Sequence, residues 1–240
     1  MPTFRHGKRT AVLLNATDMS PFLNEATQTQ EIETAETTTF ADEDKTYITG
    51  LGDGTISVSG MFDSTAGASD PVLRGTIGQE DNTFTVLPEG TVAGRRSIIA
   101  NGQLTSYEVS SPVGDVVAIS AEVQADGGLF SGLALSDLAT VSASAGQDTG
   151  IDNGSATSNG VLANLHVTEN THDGNAVFKV QHSTDGVSWA DLVTFTTVSA
   201  SSTTGESVTS TGNVNAYLRS TYTLSGSAGS VTYHISAARR

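Results

Sequence analysis

Short segments in which apolar and polar residues alternate recur along this 240-residue chain. Residues 55–62 place Ile56, Val58 and Phe62 on one face and hydroxyl side chains on the other. A period of two is typical of a half-buried strand. The pattern therefore predicts an all-β fold, with further strands over 8–14, 27–34, 82–87, 95–100, 103–109, 117–123, 161–167, 176–182, 192–198, 216–224 and 231–237.

Proline and glycine predict where these strands are interrupted. Ser-Pro at 20–21 and Asp-Pro at 70–71 each combine an N-cap residue with a proline at the first helical position, so we expect short helical turns over 20–23 and 70–73. Asp53-Gly54, Asn101-Gly102 and the Gly-Gly pair after Asp126 have the residues of tight turns.

The segment 36–52 has a different composition from the strands that flank it. It contains many threonines, the acidic run Asp42, Glu43 and Asp44, and the glycines Gly50 and Gly52. These residues predict a long projecting loop, and loops of such length are usually functional or disordered.

A second change in composition divides the chain into two blocks. Residues 136–159 are rich in Ser, Ala, Gly and Asp with little periodicity, as expected of a linker or surface connection. We therefore expect a first β block over 1–137 and a second, C-terminal β-sandwich block over 138–240, which either completes the fold of the first block or forms an outer domain.

The charge balance limits the kinds of partner. Eleven Lys and Arg against 26 Asp and Glu give a net charge of −15, and residues 10–44 contain no Lys or Arg. Such a surface repels phosphate backbones, which disfavours ordinary nucleic-acid binding but not a passage through which nucleic acid slides. Scattered acidic residues usually belong to an ordinary solvated face. The alternative is an acidic surface that faces a particular partner or passage.

Cysteine usage and the N-terminal residues bear on where the protein is made. There is no Cys, so disulfides and thiolate metal sites are excluded. The apolar run 11–14 is too short for a signal-peptide core or a membrane span. We expect synthesis in the cytoplasm and no membrane insertion.

Motifs for catalysis and cofactors are missing from the sequence. There is neither a Gly-x-Ser-x-Gly elbow nor a Gly-x-x-x-x-Gly-Lys phosphate loop. The glycines Gly50, Gly52 and Gly54 precede a strand and not a helix, which favours a turn over a nucleotide site. We therefore predict no catalytic residue and no cofactor.

The candidate metal-ligand residues have spacings that match known metal sites poorly. His166, His172 and His182 match no metal-site spacing, and alternation places His166 opposite its apolar neighbours, so solvated histidines are expected. Asp148, Asp152 and Asn153 fail the spacing of a calcium loop. We therefore predict no metal ligand.

Trp189 is the only tryptophan of the chain. It has two interpretations, a core residue or a platform on which a sugar stacks, and core packing is the commoner role of a single Trp that follows a turn.

Three segments together point to a family. DMSPFL at 18–23, ETTTFAD at 36–42 and YITGLGDGTISVSGMFD at 47–63 resemble, in order and spacing, the major tail tube proteins of long-tailed (siphovirus-like) bacteriophages. The resemblance covers roughly the first half of the chain.

The resemblance implies a structural virion protein. Its fold would be a β-sandwich or barrel of the phage tail tube type with a short helix. Its subunits would form hexameric rings that stack into the tail tube around the tape measure protein, the conduit for DNA ejection. Expected partners are other copies of the chain, the tape measure protein, and the tail terminator and baseplate proteins, with DNA passing the lumen without specific binding.

Two hypotheses follow for individual residues. We expect the loop 36–52 to reach a neighbouring subunit or ring, and acidic residues such as Glu31 and Glu33 to face the lumen, where they repel DNA. Two other functions stay open: a carbohydrate-binding or adhesion module that uses Trp189, and a tail terminator or baseplate ring protein. Catalysis has no support in the sequence.

Overall fold

The computed structural model describes residues 4–240. Strands make up most of the chain, which confirms the predicted all-β fold with a short helix. The helix α1 spans Ser69–Thr76, and a 3-10 turn spans Gly7–Arg9. The strands are β1 Ala11–Leu14, β2 Thr17–Asp18, β3 Leu23–Glu36, β4 Tyr47–Met61, β5 Asn82–Leu87, β6 Arg96–Ser110, β7 Ala118–Ala134, β8 Ala139–Val141, β9 Ala145–Gln147, β10 Ile151–Asp152, β11 Val161–Asn170, β12 Ala176–Ser183, β13 Ala190–Thr194, β14 Thr204–Ser210, β15 Tyr217–Leu224 and β16 Val231–Arg239.

The strands form two sheets. The larger sheet has the order β14-β11-β16-β7-β6-β5-β1-β2, with β4 also paired to β7, β3 to β4 and β8 to β16. The smaller sheet has the order β10-β15-β12-β13, with β9 on β15. Strand β7 is long enough to pair with β4 through its first half and with β16 through its last residues. The C-terminal strands β11, β14 and β16 thus continue the sheet of the first block across the division expected at 137/138.

Four strands, β3, β4, β7 and β6, form the part of the large sheet that matters most below. Residues 55–61 of β4 pair with 118–124 of β7, and residues 103–110 of β6 pair with 118–124 from the other side. We call this the four-strand sheet. Its alternation places Ile56 and Val58 on a buried face, as the sequence predicts.

The buried face of the four-strand sheet packs against α1 and β1. Ile56, Ile119 and Leu104 form a cluster with Leu73 of α1, and each is at most 2% exposed. Burying such a side chain stabilises the fold by about 1.5–3 kcal/mol. The helix is held further by Tyr107, whose hydroxyl donates to Asp70 at 2.7 Å.

The second core lies between the two sheets of the C-terminal block. Residues from β11 and β16 pack on β12 and β15, with the rings of Phe178 and Tyr233 4.7 Å apart. The expected C-terminal sandwich is therefore present as a packing unit, although one of its two layers belongs to the large sheet.

Several predicted turns are strand interiors. Asp53-Gly54 lies within β4, Asn101-Gly102 within β6, and the Gly-Gly pair after Asp126 within β7. The glycines serve close approach: a Cβ at Gly102 would collide with the carbonyl oxygen of Gln124, and one at Gly54 would lie 2.8 Å from the Leu129 side chain. Ladder pairing with neighbouring strands outweighs the local turn preference at these positions.

The helical turn predicted over 20–23 is also wrong. Residues 20–22 form a single turn, in which the Phe22 N–H donates to the Met19 carbonyl at 3.0 Å, and Leu23 already begins β3. The second predicted helix is present but starts earlier, at Ser69, whose hydroxyl donates to the Met61 carbonyl at 2.8 Å. No helix in residues 4–240 combines the length and the apolar composition that a bilayer span requires.

Candidate functional site

The loop predicted over 36–52 is the end of a long hairpin. β3 and β4 stay paired from Leu23↔Gly60 to Glu36↔Tyr47, so only residues 37–46 lie outside the strands. The prediction was wrong about the loop because two threonine-rich segments are stabilised by each other, a long-range pairing that local composition does not reveal. The projection that it predicted is nevertheless real.

This hairpin leaves the body of the protein. β4 pairs with β7 only as far as Thr55, so 47–54 have β3 as their sole strand partner among the described residues. Every residue from 29 to 53 is exposed. We call residues 29–53 the arm. A two-stranded ribbon without a third partner has marginal stability of its own in water.

The tip of the arm is organised by side-chain contacts. Asp42 accepts hydrogen bonds from the backbone N–H of Thr39 at 2.7 Å and from its hydroxyl at 2.9 Å. These two bonds lower the pKa of Asp42 below its usual value. Lys45 reaches Glu36 at 3.1 Å across the ribbon. The arm is thus a shaped element with a defined turn.

Large apolar side chains of the arm face solvent. Leu51 is 79% exposed, Ile32, Tyr47 and Ile48 are more than half exposed, and Phe40 is fully exposed. Contiguous exposed apolar surface is typical of an interaction site. These residues favour a role for the arm in contact with another molecule.

The four-strand sheet has two open edges. Among residues 4–240, β3 pairs with β4 alone, which leaves its other edge free along the whole strand. On the opposite side, β5 covers β6 only as far as Gly102, a bridge from Ile77 covers Leu104, and residues 105–110 keep an open edge. Open edges can accept a strand from another chain.

The directions of the two edge strands match. Each neighbouring pair in the order β3-β4-β7-β6 is antiparallel. β3 and β6 therefore run in opposite directions, and the β6 edge of one copy placed beside the β3 edge of another continues the antiparallel pattern without interruption.

The exposed face of the four-strand sheet is polar and carries negative charge only. It forms a shallow groove lined by Glu25, Thr27, Ser57, Ser59, Ser106, Ser120 and Glu122. β3, β4 and β7 contain no Lys or Arg, and the one cation of β6, Arg96, lies at its far end. The sheet thus separates an apolar core from an acidic surface.

Of the two acidic residues predicted to face a lumen, Glu31 lies closer to the acidic face of the four-strand sheet. It pairs with Asp53, in the same alternation as Glu25 and Thr27. The Asp53 carboxylate accepts a hydrogen bond from Gln124 of β7, which ties the root of the arm to the sheet. Glu33 lies further out, opposite Gly50.

The histidine prediction is wrong for two of its three residues. His166 is completely buried, with Nδ1 2.7 Å from the Asn15 carbonyl and Nε2 2.7 Å from the Thr85 hydroxyl. His172 is 2% exposed, and only His182 is partly accessible. Alternation on β11 is as predicted, but both faces of this strand are covered, because β5 packs on the side away from the second core.

The ring of Trp189 stacks on the guanidinium of Arg219 and is not free to act as a platform for a sugar. The Arg219 guanidinium lies 4.3 Å from the centre of its ring, Gly150 lies against the same ring, and Gln181 Oε1 accepts two hydrogen bonds from Arg219. This stack is worth about 0.5–1 kcal/mol at a partly exposed site. A sugar would have to displace it.

The acidic residues considered for calcium do not converge. Asp148 accepts hydrogen bonds from Ser220 and Tyr233, whereas Asp152 accepts one from the backbone of Gly154. Burial raises the pKa of Asp148. Within residues 4–240 no three potential ligands are grouped around one point.

Comparisons with known proteins give distant structural likenesses. No family model matches the chain, and no curated protein matches it. Among solved structures, it is similar to a chain in the virion of a native gene transfer agent particle, with a TM-score of 0.43, 18% identity, and coverage of 52% of this chain and 97% of that one. A chain in the tail of an empty gene transfer agent particle, refined with C6 symmetry, gives 0.41, 16%, 52% and 97%.

A third solved structure matches over nearly the whole chain. It is the Dit protein of phage SPP1, described as a hub of the adsorption apparatus, with a TM-score of 0.35, 11% identity, and coverage of 95% of this chain and 98% of that one. At these scores the likenesses do not assign a function to this chain.

Proposed function

We propose that this protein is a structural subunit of a phage tail that joins edge to edge with copies of itself into a closed ring, and that these rings stack into a tube. The observation that carries the proposal is the pair of open, antiparallel-compatible edges on the two sides of the four-strand sheet. The tube would surround the tape measure protein and later serve as the conduit for DNA.

Edge pairing supplies the contact within a ring. Residues 105–110 of β6 can pair with six residues of β3 in the next copy. An antiparallel pairing of this length makes about six backbone hydrogen bonds, each worth about 0.5–1.5 kcal/mol net. β3 contains no Pro or Lys, two of the residue types that commonly protect an edge from such pairing.

Ring closure follows from the head-to-tail geometry. The β3 edge and the β6 edge are different surfaces, so the contact is heterologous and repeats until the rotation closes. Six copies would place about 24 strands, about 4.8 Å apart, on a circle about 37 Å in diameter if the strands ran parallel to the ring axis. Barrels of about 16 strands already leave an aqueous channel.

The acidic face suits the inside of such a ring. The core side of the sheet carries α1 and β1 and must face outward, which turns Glu25, Glu122 and the hydroxyl side chains toward the lumen. A lining without cations repels phosphate, and DNA can then move without being held. Glu31 and Asp53 extend this lining along the arm.

Cross-linking tests the ring contact directly, because the native chain has no Cys. Ser106→Cys on β6 is combined with Glu25→Cys, Thr27→Cys or Thr29→Cys on β3. Oxidation of assembled protein is expected to give a ladder of covalent oligomers that ends at the ring size. The control is each single-Cys variant, which can form at most a dimer. If none of the three Cys pairs gives a ladder, edge pairing is contradicted.

Electron microscopy of concentrated wild-type protein tests the tube. Tubes with a regular axial repeat are expected. Single rings that never stack would instead favour a tail terminator or baseplate ring protein, which needs the ring contact alone. Protein that remains monomeric under all assembly conditions overturns both functions.

A further inference from the structure

We propose that neighbouring copies in a ring pair in one particular register, with Ser110 of one copy opposite Glu25 of the next. In this register Val109 of the first copy enters a groove beside the β3 edge of the second. The inference rests on the proposed function, and it identifies the residues that select the register of the edge contact.

The groove lies between the start of β3 and the β1 layer that packs on the core side of the four-strand sheet. It is lined by the apolar side chains of Val12, Leu23 and Ala26 and by polar residues that include Lys8. Leu23 and Ala26 contact the core but are only partly buried. The groove is thus an extension of the core that opens at the free edge of β3.

Val109 has the matching position on the other open edge. Its register partner is Ile119, a core residue that is 2% exposed, so Val109 lies on the core side of β6. Val109 itself is 37% exposed. Ala26 pairs with the core residue Val58 and therefore lies on the core side of β3. Pairing of the two edges brings Val109 and the groove to the same side of the joined sheet.

Alternation restricts the possible registers. One row of register partners crosses the four-strand sheet through Glu25, Ser59, Ser120 and Glu108. A shift of one residue between copies would turn the core side of one copy toward the polar face of the next. The registers to compare are therefore the one that continues this row from copy to copy and those displaced from it by an even number of residues.

Charge and closure both disfavour the register that continues the row. It would place Glu108 of one copy directly opposite Glu25 of the next on the polar face, and like charges in this position destabilise a sheet. It would also give no stagger between copies, whereas a sheet that closes into a barrel requires its strands to tilt and their register to stagger.

A displacement of two residues toward the arm removes both difficulties. Val109 then meets Ala26, and apolar surface that each copy exposes alone becomes buried. The two places where ladder register shifts lie outside the paired segments, since one precedes Glu25 and the other precedes Ser106. The opposed residues are Ser110 and Glu25, Val109 and Ala26, Glu108 and Thr27, Tyr107 and Gln28, and Ser106 and Thr29.

Other even displacements lose backbone pairing. Two residues away from the arm, Val109 and Ser110 would extend past Leu23, where β3 begins. Four residues toward the arm, Pro112 would lie opposite Glu25, and proline has no N–H to donate to the edge. The displacement of two residues lets the straight part of β3 and the end of β6 coincide.

Two Cys pairs that differ only on β3 test the register. Ser106→Cys with Thr29→Cys joins residues that are opposite in the proposed register, whereas Ser106→Cys with Thr27→Cys joins residues that are opposite if the row continues. Opposite Cα atoms lie about 4.5–5.5 Å apart, within the disulfide range of about 4.4–6.8 Å, but diagonal ones lie about 7–8 Å apart. We expect the pair at 106 and 29 to form the covalent ladder about tenfold faster.

The outcomes separate the register from the ring itself. A ladder that forms as fast or faster from the pair at 106 and 27, or from Ser106→Cys with Glu25→Cys, overturns the register and leaves the proposed ring intact. Absence of a ladder from all three pairs overturns the proposed ring contact.

A charge placed in the groove tests the role of Val109. Val109→Lys would bury an ammonium near Lys8, so the protein concentration needed for ring formation should rise about tenfold or more in sedimentation velocity. Val187→Lys is the matched control, because Val187 is 79% exposed in the C-terminal block, and it should assemble as the wild type does. Circular dichroism should show that both variants are folded. Unchanged ring formation by folded Val109→Lys overturns the groove contact.

Discussion

His166 and His234 lie directly opposite each other on the neighbouring strands β11 and β16, and neither is exposed to solvent. Burial lowers the pKa of His166 to about 4, and burial together with the nearby His166 lowers the pKa of His234 to about 3. Both imidazoles are therefore neutral in the folded protein at pH values where an unfolded chain binds protons.

The pair makes the fold sensitive to acid. Because the folded pKa values lie below the unfolded value of about 6.5, the stability contribution is complete above pH 6.5 and is lost as the pH falls toward 4 and then 3. We expect a loss on the order of 3 kcal/mol from His166 over this range. Urea unfolding at pH 7.5 and 4.5 measures it, and His166→Gln/His234→Gln should flatten the dependence. An unchanged slope in that variant would contradict the assignment.

Gly102→Ala should destabilise the protein although position 102 has the sequence of an exposed turn. Its Cβ would collide with the Gln124 carbonyl, so β6 and β7 must separate locally. We expect a cost of about 1–3 kcal/mol, as for other overpacked sites. Gly75→Ala in α1, where a Cβ meets no atom within 4 Å, is the matched control and should stabilise the fold by about 0.4–1 kcal/mol. Equal effects of the two substitutions in chemical denaturation would refute the close approach.

Asp148→Asn should stabilise the protein at neutral pH. Burial raises the pKa of this carboxyl, so the folded state favours the protonated form, and stability is lost as the pH rises through the folded pKa. An amide keeps an acceptor for Ser220 without the charge, and a gain of about 0.5–2 kcal/mol at pH 7 is expected. The gain should shrink below pH 4. The exposed Asp152→Asn serves as control, and a gain of the same size there would argue against burial as the cause.

Shortening the arm should abolish stacking without unfolding the body. Replacing residues 33–51 by Asn-Gly joins the register partners Ile32 and Gly52 through a two-residue turn of the kind that suits a hairpin. Every residue removed is exposed, so the thermal unfolding temperature should stay close to that of the wild type. Microscopy should show rings without tubes. A large loss of thermal stability would mean that the arm belongs to the folding core.

The strands that the sequence predicts well are those in which alternation coincides with burial on one face. β5 is found at its predicted bounds, and β11, β12, β15 and β16 differ by a few residues at their ends. β14 was missed because Thr204–Ser210 has one large apolar residue, Val208, and is a strand only through its pairing with β11. Burial of His166 was missed for a related reason, since no local pattern indicates that a second layer covers the polar face of β11.

Composition and periodicity by themselves determined that this chain is an all-β protein with an acidic surface, a projecting segment near residues 36–52, and no motif for catalysis. They could do so because charge and side-chain alternation are local properties. Only the tertiary structure decided that Gly54 and Gly102 continue strands, that the projection is a ribbon, and that β3 and residues 105–110 of β6 remain open. Those features depend on which distant strand supplies the backbone hydrogen bonds. The sequence of either segment alone does not show with which distant segment it pairs.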